Sequence, residues 1–215
     1  LKSYKTIYKE DKEELIIEKS RFIAHTKSVE TEEDALEFIK KIKIENKDAT
    51  HNVWAYVIGE NQNIQRYSDD GEPSGTAGIP TLEILKKENL TNIVVVVTRY
   101  FGGIKLGAGG LVRAYSKACK ASIIKAKITT KIIYIPVKIS VDYSTMGIIE
   151  NRFKLKNIPI SDIEYKEDIQ FKAYIPLGET SSFKDYLVEL TNNSIDFSFG
   201  DPIYVDMVGE DIIIN

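Results

Sequence analysis

The sequence predicts an α+β protein of two domains, residues 1–128 and 129–215, on three observations. At 215 residues the chain has the length of one large domain or two small ones, at roughly 100–200 residues each. Strand-like and helix-like stretches mix in both halves, and after Thr129 they run β-α-β-β-α-β, the split βαβ or ferredoxin-like order. The charge balance reverses at the same place: Lys and Arg exceed Asp and Glu by 3 up to Ile128 and fall short of them by 6 from Thr129 on.

The elements follow in order. Glu14–Lys19 and Arg21–Val29 read as strands. Thr31 caps a helix reaching Lys47, with Asp34 three residues on and Leu36, Ile39, Ile42 and Lys43 marking a 3.6-residue period. Val53–Gly59 and Ile64–Ser68 are strands joined by a turn at Glu60–Asn63, and Thr81–Glu88 is a short helix. Ile93–Thr98 is β-branched and apolar on both parities, as in a central strand covered on both faces. The glycine-rich loop FGGIKLGAGG leads into a helix from Leu111 to Lys127, and the junction falls near Ala126–Lys131 with no Pro/Gly linker. Beyond it Ile132–Val141, Asp162–Tyr165 and Ile169–Ile175 are strands, Ser144–Lys156 and Ser181–Asn193 are helices, and Ile195–Phe199 leads into a last strand.

Composition narrows the function classes. A hydrophobic fraction of 43% suits a globular chain with a real core and excludes a disordered tail or a collagen-like fibre. A single cysteine, Cys119, and two histidines exclude an internal disulfide and a Cys/His structural zinc site. No apolar run approaches the ~18 residues of a membrane helix and no leader is visible, so a cytoplasmic protein without a membrane partner is expected. The chain begins at Leu1, so residues are expected to precede it.

Two stretches carry candidate chemistry. In the first, Arg66–Pro80, the carboxylates Asp69, Asp70 and Glu72 crowd one tight turn; Gly71, Gly75 and Gly78 permit positive φ, and Pro73 and Pro80 fix corners. The turn could hold Mg²⁺ or supply an acid/base pair, or its carboxylates could accept backbone N–H bonds and cap the next helix. No His is adjacent in sequence and the EF-hand ligand pattern is absent, so the architectural role is expected, with no metal and no cofactor.

The second stretch is Val97–Tyr115, an apolar strand, a glycine loop and a helix. Gly107, Gly109 and Gly110 could admit a phosphate to free N–H groups at a helix N-terminus, with Arg99 and Lys105 bracketing the loop. The stretch is neither a Walker loop nor G-x-G-x-x-G, since Val112 stands where the last glycine belongs, and close helix–strand packing explains the small residues as well. Along the helix Arg113, Lys117, Lys120 and Lys127 share one face, while Leu111, Tyr115, Ala118, Cys119, Ser122 and Ala126 share the other, so Cys119 reads as core. No Asp or Glu occurs between Glu88 and Asp142, a window with nine Lys/Arg, so no intrahelical acid neutralises these cations. His25 reads as part of a strand and His51 as preceding one, Trp54 and Tyr56 read as core, and no G-x-S-x-G elbow is present.

DDGEPSGTAGIP (Asp69–Pro80) followed by VVVTRYFGGIKLGAGGLVRAY (Val95–Tyr115), with SRFIAHTKSV (Ser20–Val29) and HNVWAYVIG (His51–Gly59), resembles the IMPACT/YigZ family. The resemblance covers about the first 128 residues strongly, and its motif residues here are Asp69, Asp70, Gly71, Glu72, Pro73, Gly75, Thr76, Gly78, Gly102 and Gly103. It implies an N-terminal domain like domain IV of elongation factor G, in the ribosomal-protein-type β-α superfold. The implied C-terminal domain is like domain V of that factor, ferredoxin-like. Eukaryotic relatives restrain a starvation-responsive initiation-factor kinase by competing for its co-activator, and carry an extra N-terminal module.

The resulting expectation is a non-enzymatic, translation-associated protein that binds RNA or the ribosome, or a protein partner of the translation machinery. Its anion-binding surface is expected at Arg99, Lys105, Gly107, Gly109, Gly110, Arg113, Lys117 and Lys120. The alternative is a small enzyme or phosphate-binding protein using the Asp69–Glu72 turn and the Gly102–Gly110 loop together.

Overall fold

A computed structural model describes residues 1–191 and 195–214, and the chain divides into two units, Ser3–Thr130 and Lys131 onward together with Leu1–Lys2. Among the described residues there are five helices and two sheets.

The first unit runs β1 (Tyr4–Ile7), β2 (Asp11–Ile17), β3 (Ser20–Ser28), α1 (Glu32–Glu45), β4 (His51–Ile58), β5 (Ile64–Ser68), α2 (Gly78–Lys87), β6 (Ile93–Tyr100) and α3 (Gly107–Ala126). Its five-stranded sheet is antiparallel in the order β2-β3-β6-β4-β5. The middle strand is β6, apolar from Ile93 to Val97, and those residues are fully buried. On one face Val95 and Val97 meet Leu85, Leu111, Tyr115 and Cys119 of α2 and α3; on the other Val94 and Val96 meet Ala35, Phe38, Ile39 and Ile42 of α1. Removing apolar surface of this kind from water gains about 25 cal/mol per Å², which is why a run apolar on both faces takes the centre.

Several boundaries differ from the sequence reading for local reasons. Glu18 and Lys19, expected at the end of a strand, both have positive φ (45° and 62°) and form the two-residue turn between β2 and β3. The helix α1 has the expected Thr31/Asp34 capping box, but its buried stripe is Ala35, Phe38, Ile39 and Ile42, and Leu36 is 51% exposed. The helix α2 starts three residues early: Pro80 falls in its first turn, where a missing N–H costs nothing. The helix α3 starts at Gly107 rather than Leu111, so the expected loop glycines form its first turn. The strand β1 was not expected; it is short, and its Lys5 carbonyl accepts the Thr91 N–H at 2.9 Å.

The chain leaves the first unit within β7 (Ile128–Val141) and continues through α4 (Tyr143–Leu155), β8 (Ile160–Tyr165), β9 (Ile169–Pro176), α5 (Thr180–Thr191), β10 (Asp196–Phe199), β11 (Ile203–Val208) and β12 (Asp211–Ile213). The β-α-β-β-α-β order is present, with antiparallel neighbours β10-β7-β9-β8. Val137, Ile139, Phe171 and Ala173 pack with Ile149, Phe153, Phe183 and Leu187 of the two helices. Asp142 caps α4 by accepting the Thr145 N–H at 2.7 Å. Two strands, β11 and β12, follow β10 where one was expected: Gly200 and Pro202 separate β10 from β11, and the turn Gly209–Glu210, with Gly209 at φ 66°, folds β12 back antiparallel on β11. The expected helix end at Asn192–Asn193 lies outside the described residues.

Candidate nucleic-acid interface

The Asp69–Glu72 turn is built by its own carboxylates. Asp70 (φ 47°) and Gly71 (φ 89°) occupy the two left-handed positions of a tight turn closed by Glu72 N–H to the Asp69 carbonyl at 3.0 Å. The Asp69 carboxylate accepts the N–H groups of Gly75, Ala77 and Gly78 at 2.9, 3.1 and 2.8 Å, capping α2 from eight residues away. Asp70 accepts Lys43 Nζ at 2.6 Å and the Asn52 N–H at 2.7 Å. Thr76 Oγ1 donates to the Pro73 carbonyl at 2.6 Å, and a side chain on Gly78 would lie 2.8 Å from the Ser68 carbonyl carbon.

Glu72 turns inward to a buried polar cluster. Its Oε1 accepts both Arg99 Nη1 and the Tyr115 hydroxyl at 2.7 Å, with Glu72 and Arg99 side chains only 3% and 6% exposed. Burial and the adjacent Glu72 carboxylate push the Tyr115 phenol well above its ordinary pKa. Arg99 Nη2 reaches Ser20 Oγ at 3.4 Å, and its guanidinium lies between the rings of Phe22 and Phe101, at 5.4 and 5.5 Å. A histidine is adjacent after all: His51 Nδ1–H donates to the Asp70 carbonyl at 2.8 Å, and Nε2 lies 3.7 Å from Glu72 Oε2. Sequence reasoning missed His51, Tyr115 and Phe22 as members of this cluster, and Phe101 as the exposed ring at its edge. The parity of Arg99 with the core residues Val95 and Val97 was the available signal.

Arg99 is therefore removed from the expected anion-binding surface, because Glu72 neutralises it in the interior. Lys120 and Lys125 are exposed but face acids from outside the acid-free window, Glu88 at 3.8 Å and Glu13 at 2.7 Å. Lys105, Arg113 and Lys117 are exposed, and among the described residues none has a carboxylate within 4.0 Å. Gly107 and Gly109 are exposed in the first turn of α3 and Gly110 is half-buried against Leu106. That turn has no acidic residue and no side-chain cap, whereas α1 has both and α4 is capped by Asp142. A Cβ on Gly109 would lie 3.5 Å from Arg113 Nη1, so the guanidinium sits over the positive end of the helix dipole. Gly102 passes so close to the Lys19 backbone that a side chain there would collide with it, whereas Gly103 (φ 87°) has open space around it.

Cys119 is fully buried, its thiol pushed up by burial, and no group of three His, Cys, Asp or Glu among the described residues is placed to hold a metal ion. No described helix is long and apolar enough to cross a membrane.

Fold and site together define a two-unit α+β protein whose first unit joins a carboxylate-built turn to a glycine loop through a buried Arg–Glu pair. Residues 18–123 match the family described as the Impact N-terminal domain, and residues 139–194 match a domain of unknown function, DUF1949. The chain is 46% identical over 206 residues to the IMPACT family member YvyE of Bacillus subtilis, across 96% of this chain and 95% of that one. It is 33% identical to the IMPACT family member YigZ of Escherichia coli, across 83% and 89% of the two chains. A solved structure described as that of an hypothetical protein superposes with a TM-score of 0.60 at 28% identity, over 92% of this chain and 97% of the other. The chain belongs to the IMPACT family.

Proposed function

We propose that this IMPACT family member works by binding rather than catalysis, in association with the translation machinery, and that it holds RNA phosphates at the N-terminal end of α3. The observation that carries this reading is the convergence of positive charge there. The uncapped N–H groups of Gly107, Ala108 and Gly109 and the Arg113 guanidinium lie together, with exposed Lys105 just before the turn and exposed Lys117 one helical turn beyond Arg113. Like charges placed together repel, and an incoming phosphate oxygen relieves that repulsion while satisfying the free donors. Such contacts track a nucleic-acid backbone without reading bases. The antiparallel order β10-β7-β9-β8 of the second unit supports a ferredoxin-like assignment, and with it the likeness to the paired domains IV and V of elongation factor G. That likeness makes the ribosome a natural partner, by analogy of fold. The enzyme alternative has less support, since Asp69, Asp70 and Glu72 are already engaged by backbone N–H groups, Lys43, Arg99 and Tyr115.

The test compares binding of a single-stranded and a duplex RNA oligonucleotide by the parent protein and by the combined Lys105→Ala, Arg113→Ala, Lys117→Ala variant. The variant is expected to bind both RNAs more weakly, and to a similar degree for different sequences. Equal binding by parent and variant would refute the proposal.

A further inference from the structure

Phe101 is the residue whose placement the buried cluster does not require. It follows β6, is 47% exposed, and lies in the same loop as Ile104, itself 37% exposed. One exposed aromatic is ordinary on a protein surface; its fixation is not. Its N–H donates to Thr50 Oγ1 at 3.0 Å. The next residue, Gly102, is pressed against the Lys19 backbone and bonded to Ser20 Oγ at 3.1 Å. The ring rests on the Arg99 guanidinium, which Glu72 and the Phe22 ring hold in turn. The loop thus presents an aromatic ring in a set orientation, at little conformational cost on binding. Lys105 is four residues away, within about 14 Å of chain at most, and the uncapped turn of α3 begins just beyond it.

We infer that Phe101 is a stacking platform for one unpaired base, which makes the α3 site selective for single-stranded over duplex RNA. The inference rests on the proposed function above. A base paired inside a duplex has no free face to offer, while every unpaired base has one, so stacking discriminates strandedness and tolerates sequence. The division of labour is physical: Lys105, Arg113 and Lys117 supply the salt-dependent part of binding, and Phe101 a salt-independent part, because stacking releases no counterions.

The experiment is fluorescence anisotropy of the full chain with a labelled 12-nucleotide single strand and with the matching duplex, for parent, Phe101→Ala and Phe101→Trp. Phe101→Ala is expected to weaken single-strand binding by about 5- to 150-fold, the range that stacking one base supplies. The salt slope and duplex binding are expected to stay unchanged. Phe101→Trp is expected to retain single-strand binding, and its introduced indole to be quenched by the single strand and not by the duplex, measured against the Trp54 signal of the parent. If Phe101→Ala binds the single strand as the parent does, or loses duplex binding equally, the stacking inference is wrong while the proposed function stands. If the parent binds neither RNA, the proposed function itself fails. A melting curve for each variant separates misfolding from lost contact, and the conservative Phe101→Trp substitution keeps the test open should the alanine variant not fold.

Discussion

Removing Glu72 tests whether the buried cluster is what holds the turn, β6 and α3 together. Glu72→Ala deletes the acceptor of two bonds at 2.7 Å and leaves the Arg99 guanidinium, 6% exposed, with Ser20 Oγ at 3.4 Å as its one hydrogen-bond acceptor among the described residues. Arg99 Nε is already without a partner. Breaking a buried ion pair from one side costs about 3–5 kcal/mol, because the surviving charge stays desolvated and uncompensated. For a unit of this size, about 4 °C per kcal/mol puts the loss in Tm at roughly 12–20 °C. Trp54 is the single tryptophan and lies in β4, so its fluorescence during urea or thermal unfolding reports this unit. The sharper comparison is the triple variant Glu72→Leu, Arg99→Met, Tyr115→Phe, which removes every polar member of the central contact at similar volume. It is expected to recover most of the loss, since replacing a whole buried pair by apolar groups is often neutral. A Glu72→Ala cost under about 1 kcal/mol, or a triple variant no more stable than the single one, would refute the reasoning.

Two further outcomes follow from buried groups. Burial, and then the neighbouring Lys12, lower the His25 pKa from 6.5 to about 4, so the folded chain keeps this imidazole neutral where the unfolded chain binds a proton. Stability should therefore fall as pH drops from about 6.5 towards about 4 and level off below, by about 2–3 kcal/mol after allowing for the ring's residual solvation; urea unfolding across that range should show the loss, and His25→Phe should remove this component. Gly102→Ala should destabilise the first unit strongly, because its Cβ would collide with the Lys19 backbone, whereas Gly103→Ala should cost only the roughly 1–2 kcal/mol of a left-handed residue, as urea unfolding followed by Trp54 fluorescence would show.

What the sequence made legible was local or periodic. Thr31 and Asp34 are three residues apart, and their reciprocal bonds form wherever a helix starts, so the capping box could be read directly. The apolar run Ile93–Val97 required cover on both faces, and it has it. The side of α1 that meets the sheet was misjudged at Leu36, because an apolar residue can lie on an exposed face at little cost. The turn at Glu18–Lys19 was invisible, since neither residue carries the glycine or asparagine signature of positive φ. At the site, the cations of α3 could be placed on one face by counting, but their counter-charges could not. Glu72 is 27 residues from Arg99 and 43 from Tyr115, and Glu88 and Glu13 meet Lys120 and Lys125 only through the fold. An acid-free window in sequence is therefore not an acid-free surface, and the basic site contracts to Lys105, Arg113 and Lys117.

In the proposed function these three side chains and the uncapped turn of α3 hold RNA phosphates. The direct measurement is the salt dependence of single-stranded RNA affinity, compared between the parent and the Lys105→Ala, Arg113→Ala, Lys117→Ala variant. Each neutralised phosphate contributes about −0.7 to the slope of log affinity against log salt for a single strand, so the variant's slope should be shallower by about 2. A variant with the parent's affinity and slope at every salt concentration would contradict the account.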